Sequence, residues 1–137
     1  MDAGAANEIL AYWLVPAEPA LTYFRALINE LARGFDAPVF EPHVTLYVTI
    51  AETEDPEGVL KRAITASKNC RLSIAGIDFS DEFTRTLFIQ FRPDAAVARL
   101  SKNLRSASVS QREYKLNPHL SLIYKTLLPE TKTQIAN

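Results

Sequence analysis

Both histidines of this 137-residue chain lie in one repeated frame, Pro42-His43-Val44-Thr45-Leu46 and Pro118-His119-Leu120-Ser121-Leu122. Each frame reads proline, histidine, aliphatic, hydroxyl, leucine. An extended strand sends successive side chains to opposite faces, so His43 shares a face with Thr45, and His119 with Ser121, each about 7 Å apart. Proline donates no backbone hydrogen bond and is tolerated only near a strand's start, on an edge or at a bulge. The fold must therefore present an imidazole beside a hydroxyl twice, each time just after a proline.

The segments around the frames alternate between strand and helix patterns. Ile9 to Val15 is a short apolar run ended by Pro16 and reads as a buried strand. Leu21, Phe24, Leu27, Ile28 and Leu31 recur at helical spacing between Pro19 and Gly34, which is the expected C-terminal stop. Val39 to Ile50 is β-branched and aromatic and holds the first frame. Asp55-Pro56 supplies a cap and a first-turn proline for a helix with the stripe Val59, Leu60, Ala63 and Ile64. Leu72 and Ile74, then Ile77 and Phe79, alternate with a slip at Gly76, where a bulge is expected. Ser80 to Thr84 is a turn, and Thr86 to Arg92 the returning strand. Pro93-Asp94 opens a helix with Val97, Leu100 and Leu104 inward, and His119 to Lys125 is the second histidine strand.

This order predicts a single α+β domain over residues 1–137 with two pseudo-symmetric lobes. Each lobe is an antiparallel sheet flanked by helices and lends one histidine strand to a central cleft. A final helix begins after Pro129, and the second lobe reads as short at the C-terminus, by truncation, by a smaller sheet or by an edge left for a partner. The oligomeric state stays open.

The net charge of −1 disfavours a long polynucleotide held through its backbone, but not a small anion. Arg99, Lys102, Arg105, Arg112 and Lys115, with only Glu113 among them, either bias the potential toward phosphate or form the solvated face of a helix and loop. Cys70 is the single cysteine, so an intramolecular disulfide is impossible and a reducing compartment is allowed. The N-terminus lacks the pattern of a signal peptide and no stretch approaches the roughly 20 apolar residues of a membrane span. The expected location is cytoplasmic.

Histidine changes charge near neutral pH, so two of them can divide the roles of base and acid around one phosphorus. Thr45 and Ser121 would donate to the non-bridging oxygens, where charge grows in the transition state. Two histidines with no nearby acidic or cysteine pattern fall short of the three ligands usual for catalytic zinc, so no metal and no cofactor is expected. A Gly-x-Ser-x-Gly elbow and a phosphate-cradling glycine loop are both absent from the sequence.

His43-Val44-Thr45 and His119-Leu120-Ser121 resemble the paired H-x-T/S signatures of the 2H phosphoesterase superfamily. Trp13-Leu14-Val15-Pro16, Phe40-Glu41-Pro42-His43-Val44-Thr45 and Asn117-Pro118-His119-Leu120-Ser121-Leu122-Ile123-Tyr124 are similar to segments of its cyclic phosphodiesterase branch. The resemblance implies a bilobal fold and metal-independent hydrolysis of ADP-ribose 1″,2″-cyclic phosphate or of nucleoside 2′,3′-cyclic phosphates. It implies His43 and His119 as the proton-transfer pair, Thr45 and Ser121 as phosphate clamps and Tyr124 as a substrate contact, although simple alternation turns Tyr124 away from His119. Tyr47 shares the face of His43 and either lines the cleft or packs. Arg85 belongs to the cleft or to the surface, and Trp13 reads as core before base-stacking platform. The expected partner is a small cyclic-phosphate nucleotide, with no long nucleic acid and no membrane. Two other readings are a 2′-5′ RNA ligase-like role in RNA end processing, which wants a more basic surface, and a nucleotide-binding module without turnover, which leaves the imidazoles idle.

Overall fold

The computed structural model describes residues 9–51, 54–64, 71–80 and 86–124. Their order is β1 (Ile9–Leu14), α1 (Ala20–Phe35), β2 (Val44–Ile50), α2 (Pro56–Ala63), β3 (Ile74–Phe79), β4 (Leu87–Phe91), α3 (Ala95–Ala107) and β5 (His119–Ile123). The class is α+β. Strand pairing runs in the order β1-β2-β5-β4-β3. The strand expected from Val39 starts only at Val44, because Pro42 offers no N–H to a ladder and holds Glu41 extended before it. Cys70, Arg85, the tip of the expected Ser80–Thr84 turn and the expected helix after Pro129 lie outside the described residues.

Backbone contacts divide the chain into two compact units, one drawing on residues up to 13, 45–72 and 93–117, the other on 14–44, 73–92 and those from 118 onward. In the first, α2 packs with α3. Both helices start on the expected aspartates. Asp55 accepts from the Gly58 N–H at 3.4 Å with Pro56 in the first turn, and Asp94 accepts from the Val97 N–H at 3.0 Å. Val59, Ala63, Val97 and Leu104 are buried, whereas Leu60 and Ile64 of the expected stripe are exposed, since an eight-residue helix with one packed side buries about one position per turn. Ser101 is buried too, its hydroxyl donating to the Leu46 carbonyl.

Glu54 ties three segments of this unit together. It accepts from the Tyr12 hydroxyl of β1 at 2.7 Å, from Ser108 Oγ after α3 at 3.0 and 2.9 Å, and from the Val109 N–H at 3.1 Å. Burial, and then the Glu54 carboxylate, push the Tyr12 hydroxyl above its ordinary range, so it remains a donor. Glu54→Ala strands that buried hydroxyl, for which the cost is about 1–3 kcal/mol. A urea midpoint that does not fall in this variant contradicts the assignment.

The second unit holds α1, β3, β4 and β5. α1 lies against β5 and buries Ile28 and Ala32. The Glu18 carboxylate takes over the capping role at its start, accepting from both the N–H and the hydroxyl of Thr22 at 2.8 Å. The helix runs through Gly34, contrary to the stop expected there. It ends because Asp36 turns left-handed (φ 52°, ψ 54°), a conformation a short polar side chain tolerates. β4 is buried along most of its length, while β3 is an edge strand with Ile74 and Ile77 exposed. Its pairing with β4 shifts between Ile74 and Gly76, at the predicted bulge.

Candidate active site

Backbone pairing sets the site. Val44 at the start of β2 lies opposite Leu120 of β5 in antiparallel register. His43 immediately precedes Val44 and Ser121 immediately follows Leu120, so the two flank that paired position. His119 is two residues from Ser121 along β5 and shares its face. On the next strand, Phe88 lies opposite Ser121 and Gln90 opposite His119. One face of the sheet thus gathers Ser121, His119, Phe88 and Gln90, with His43 just before the start of β2. Thr45 shares the face of His43 by alternation along the chain.

The two halves of the repeated frame were expected to come from separate lobes. His43 and His119 both fall among the residues of the second compact unit, whose boundary lies between Val44 and Thr45.

Each ring has a defined setting. His43 Nδ1 is 2.7 Å from the Glu41 carbonyl. A carbonyl only accepts, so Nδ1 carries the hydrogen, and Nε2 is the nitrogen that exchanges a proton when the ring is neutral. Burial lowers the His43 pKa below its ordinary value, the Glu41 carbonyl opposes part of that shift, and the charge of His119 adds to the lowering. His119 meets the edge of Phe88 at a centroid distance of 5.4 Å and an angle of 71°. The backbone before it is held by β4, since the Pro118 carbonyl accepts from the Phe91 N–H at 2.9 Å and from Gln90 Nε2 at 3.1 Å.

Tyr124 follows the last residue of β5, so strand alternation no longer fixes its direction. Its ring stacks on Phe40 at 3.8 Å and 9°, and Phe40 in turn meets His43 edge-on at 6.4 Å. Burial raises the Tyr124 pKa, so its hydroxyl is neutral at physiological pH. Among the described residues, no group of three or more His, Cys, Asp and Glu side chains is placed to hold a metal ion. No described helix is long and apolar enough to cross a membrane.

Residues 9–137 match the model of the family described as cyclic phosphodiesterase-like protein. The chain belongs to that family. A 2′,3′-cyclic-nucleotide 3′-phosphodiesterase of Kluyveromyces lactis is 27% identical over 92% of this chain and 68% of its own length. A cyclic phosphodiesterase of Arabidopsis thaliana is 24% identical, over 92% of this chain and 70% of its own. This chain is accordingly a phosphodiesterase.

Within this phosphodiesterase the remaining candidates separate. Tyr47 is wholly buried, donates its hydroxyl to the Arg112 carbonyl at 2.8 Å and packs beside Tyr12 and Tyr114, so it is a core residue. Trp13, read as core, is 49% exposed, since its place in β1 turns it away from the buried Tyr12. Phe40, Gln90 and the Glu41 carbonyl escaped the sequence reading. Phe40 and Glu41 stand next to the first frame, but nothing in the frame itself marks a ring or a carbonyl there as a support. Gln90 carries no local signal at all, because its relevance comes from strand pairing.

Proposed function

We propose that this phosphodiesterase hydrolyses nucleoside 2′,3′-cyclic phosphates, and ADP-ribose 1″,2″-cyclic phosphate by the same route, with His43 and His119 as its proton-transfer pair and no metal ion. The observation that supports this reading is the pairing of Val44, next to His43, with Leu120, which lies between His119 and Ser121. A neutral His43 with its hydrogen on Nδ1 is suited to be the base. Its Nε2 takes a proton from water as the water oxygen bonds to phosphorus. The bond from phosphorus to the departing sugar oxygen breaks, and protonated His119 supplies that oxygen with its hydrogen. Ser121 and Thr45 donate to the non-bridging oxygens as negative charge grows there. Tyr124, on its Phe40 support, is the expected contact for the nucleoside part. The activities for which the relatives are named support the substrate class, and the single cysteine suits a reducing, cytoplasmic setting.

The test is hydrolysis of a panel of 2′,3′-cyclic nucleotides and ADP-ribose 1″,2″-cyclic phosphate by purified protein, with and without EDTA. The expected result is turnover that chelator leaves unchanged. Turnover that disappears with EDTA rules out the metal-free route, and binding without turnover favours a nucleotide-binding module. The pH profile gives a second check. A base must be unprotonated, so a pKa held below the ordinary value extends activity to lower pH. The acid limb of kcat/KM is expected below about 6.5, and a midpoint above that value contradicts His43 as the base.

A further inference from the structure

The carbonyl that fixes the His43 ring belongs to a residue with little backbone support of its own. Glu41 precedes β2, and Pro42 after it has no N–H to donate to the sheet. Its side chain supplies an anchor. Arg25, in the second turn of α1, donates Nε to Glu41 Oε1 at 2.9 Å and Oε2 at 3.2 Å, and its Nη2 also bonds Oε1. That is the two-pronged fork in which a guanidinium fixes the plane and direction of a carboxylate, which a single point charge does not do. Both side chains are about half exposed, so the pair has little to offer global stability. It connects α1, through one residue, to the 2.7 Å contact between the Glu41 carbonyl and His43 Nδ1.

The geometry points to Arg25 and Glu41 as positioning residues. Their ion pair holds the Glu41 carbonyl against His43 Nδ1, and so fixes which ring nitrogen carries the hydrogen and which faces the reacting phosphate. The consequence for turnover rests on the reading of His43 as a proton-transfer group, whereas the consequence for the ring does not. When the clamp is cut, the backbone before Pro42 samples other orientations and the ring is free to exchange tautomers or rotate. Substrate binding, which relies on other groups, changes little. The loss therefore falls on kcat rather than KM.

The experiment uses the full chain as wild type, Arg25→Ala, Glu41→Ala, the double variant and the exchanged pair Arg25→Glu with Glu41→Arg. Alanine at position 41 keeps the carbonyl and removes only the clamp. The ¹⁵N signals of the His43 ring, recorded well above its pKa, report the tautomer without reference to activity, and kcat and KM are measured on a 2′,3′-cyclic nucleotide. The expected wild-type ring carries its hydrogen on Nδ1, and both single variants shift toward a mixture. Each single variant loses about threefold to fivefold in kcat with KM nearly unchanged, the scale of an exposed ion pair. The double variant loses no more than the worse single one, and the exchanged pair recovers part of the loss. Ring signals unchanged in both single variants overturn the proposal whatever turnover does, as do losses that simply add in the double variant. Ring signals that change while kcat keeps its wild-type value uphold the clamp and overturn His43 as a proton-transfer group.

Discussion

Replacing either histidine by alanine is expected to remove about 10²- to 10⁴-fold of kcat, the usual contribution of a positioned acid or base. The two variants differ in how the loss depends on pH. His43→Ala removes the base, so the acid limb of the profile disappears and the residual rate follows hydroxide. His119→Ala removes the acid, so substrates with better leaving groups recover more of their rate in that variant than in the other. Neither imidazole belongs to the fully buried core, since both side chains are only part-buried. The thermal transition is therefore expected to stay close to that of the wild type. A variant that retains a tenth or more of wild-type kcat excludes its histidine from proton transfer. If both retain it, the paired mechanism fails, and the chemistry of this family member lies elsewhere on the chain.

What the sequence could and could not reveal follows from the range of each interaction. Helix starts are local, because Asp55 and Asp94 satisfy N–H groups three residues ahead, and both were legible. So was the bulge at Gly76, where hydrophobic alternation changes phase within a single strand. The end of α1 was misread, because Gly34 is the obvious stop but the chain turns at Asp36, whose side chain tolerates the left-handed conformation as well. The exposed Trp13 and the buried Tyr47 were ambiguous for a related reason. Alternation tells which residues share a face, but the layer that covers each face is a tertiary fact.

The site shows the same division. Proline, histidine and hydroxyl in a five-residue frame are visible in one dimension, and their common face follows from the pleat. Gln90 lies opposite His119 only because β4 pairs with β5, and Arg25 reaches Glu41 across sixteen residues of chain. No local pattern encodes either. The expectation that each lobe donates one imidazole also came from a one-dimensional symmetry. The pairing of Val44 with Leu120, one residue from each imidazole, is by contrast a tertiary fact.

Removing the hydroxyls should have the next largest effect on turnover. Ser121 is 6% exposed and follows Leu120, the partner of Val44, so in the proposed mechanism it serves an oxygen on the phosphorus. A donor already in place needs no reorganisation as charge develops, and such a donor is typically worth about 10²- to 10³-fold in rate. Ser121→Ala is expected at the lower end of that range, about 10²-fold in kcat, because Thr45 can still serve the same phosphate. Thr45→Ala is expected to behave alike. The two hydroxyls act on one charge, so the double variant should lose less than the product of the single losses. The hydroxyls act on the transition state and carry no proton of the reaction, so each variant should keep the wild-type pH limbs while the plateau falls. Ser121→Cys and Thr45→Ser then separate the donor from the shape. Thr45→Ser keeps the hydroxyl and should keep most of the rate, whereas Ser121→Cys replaces a strong donor by a weak one in nearly the same volume and should resemble Ser121→Ala. If the limbs move with the plateau, or if cysteine restores the rate, these residues do not act as hydrogen-bond donors to the phosphate, and the repeated frame owes its second polar position to packing.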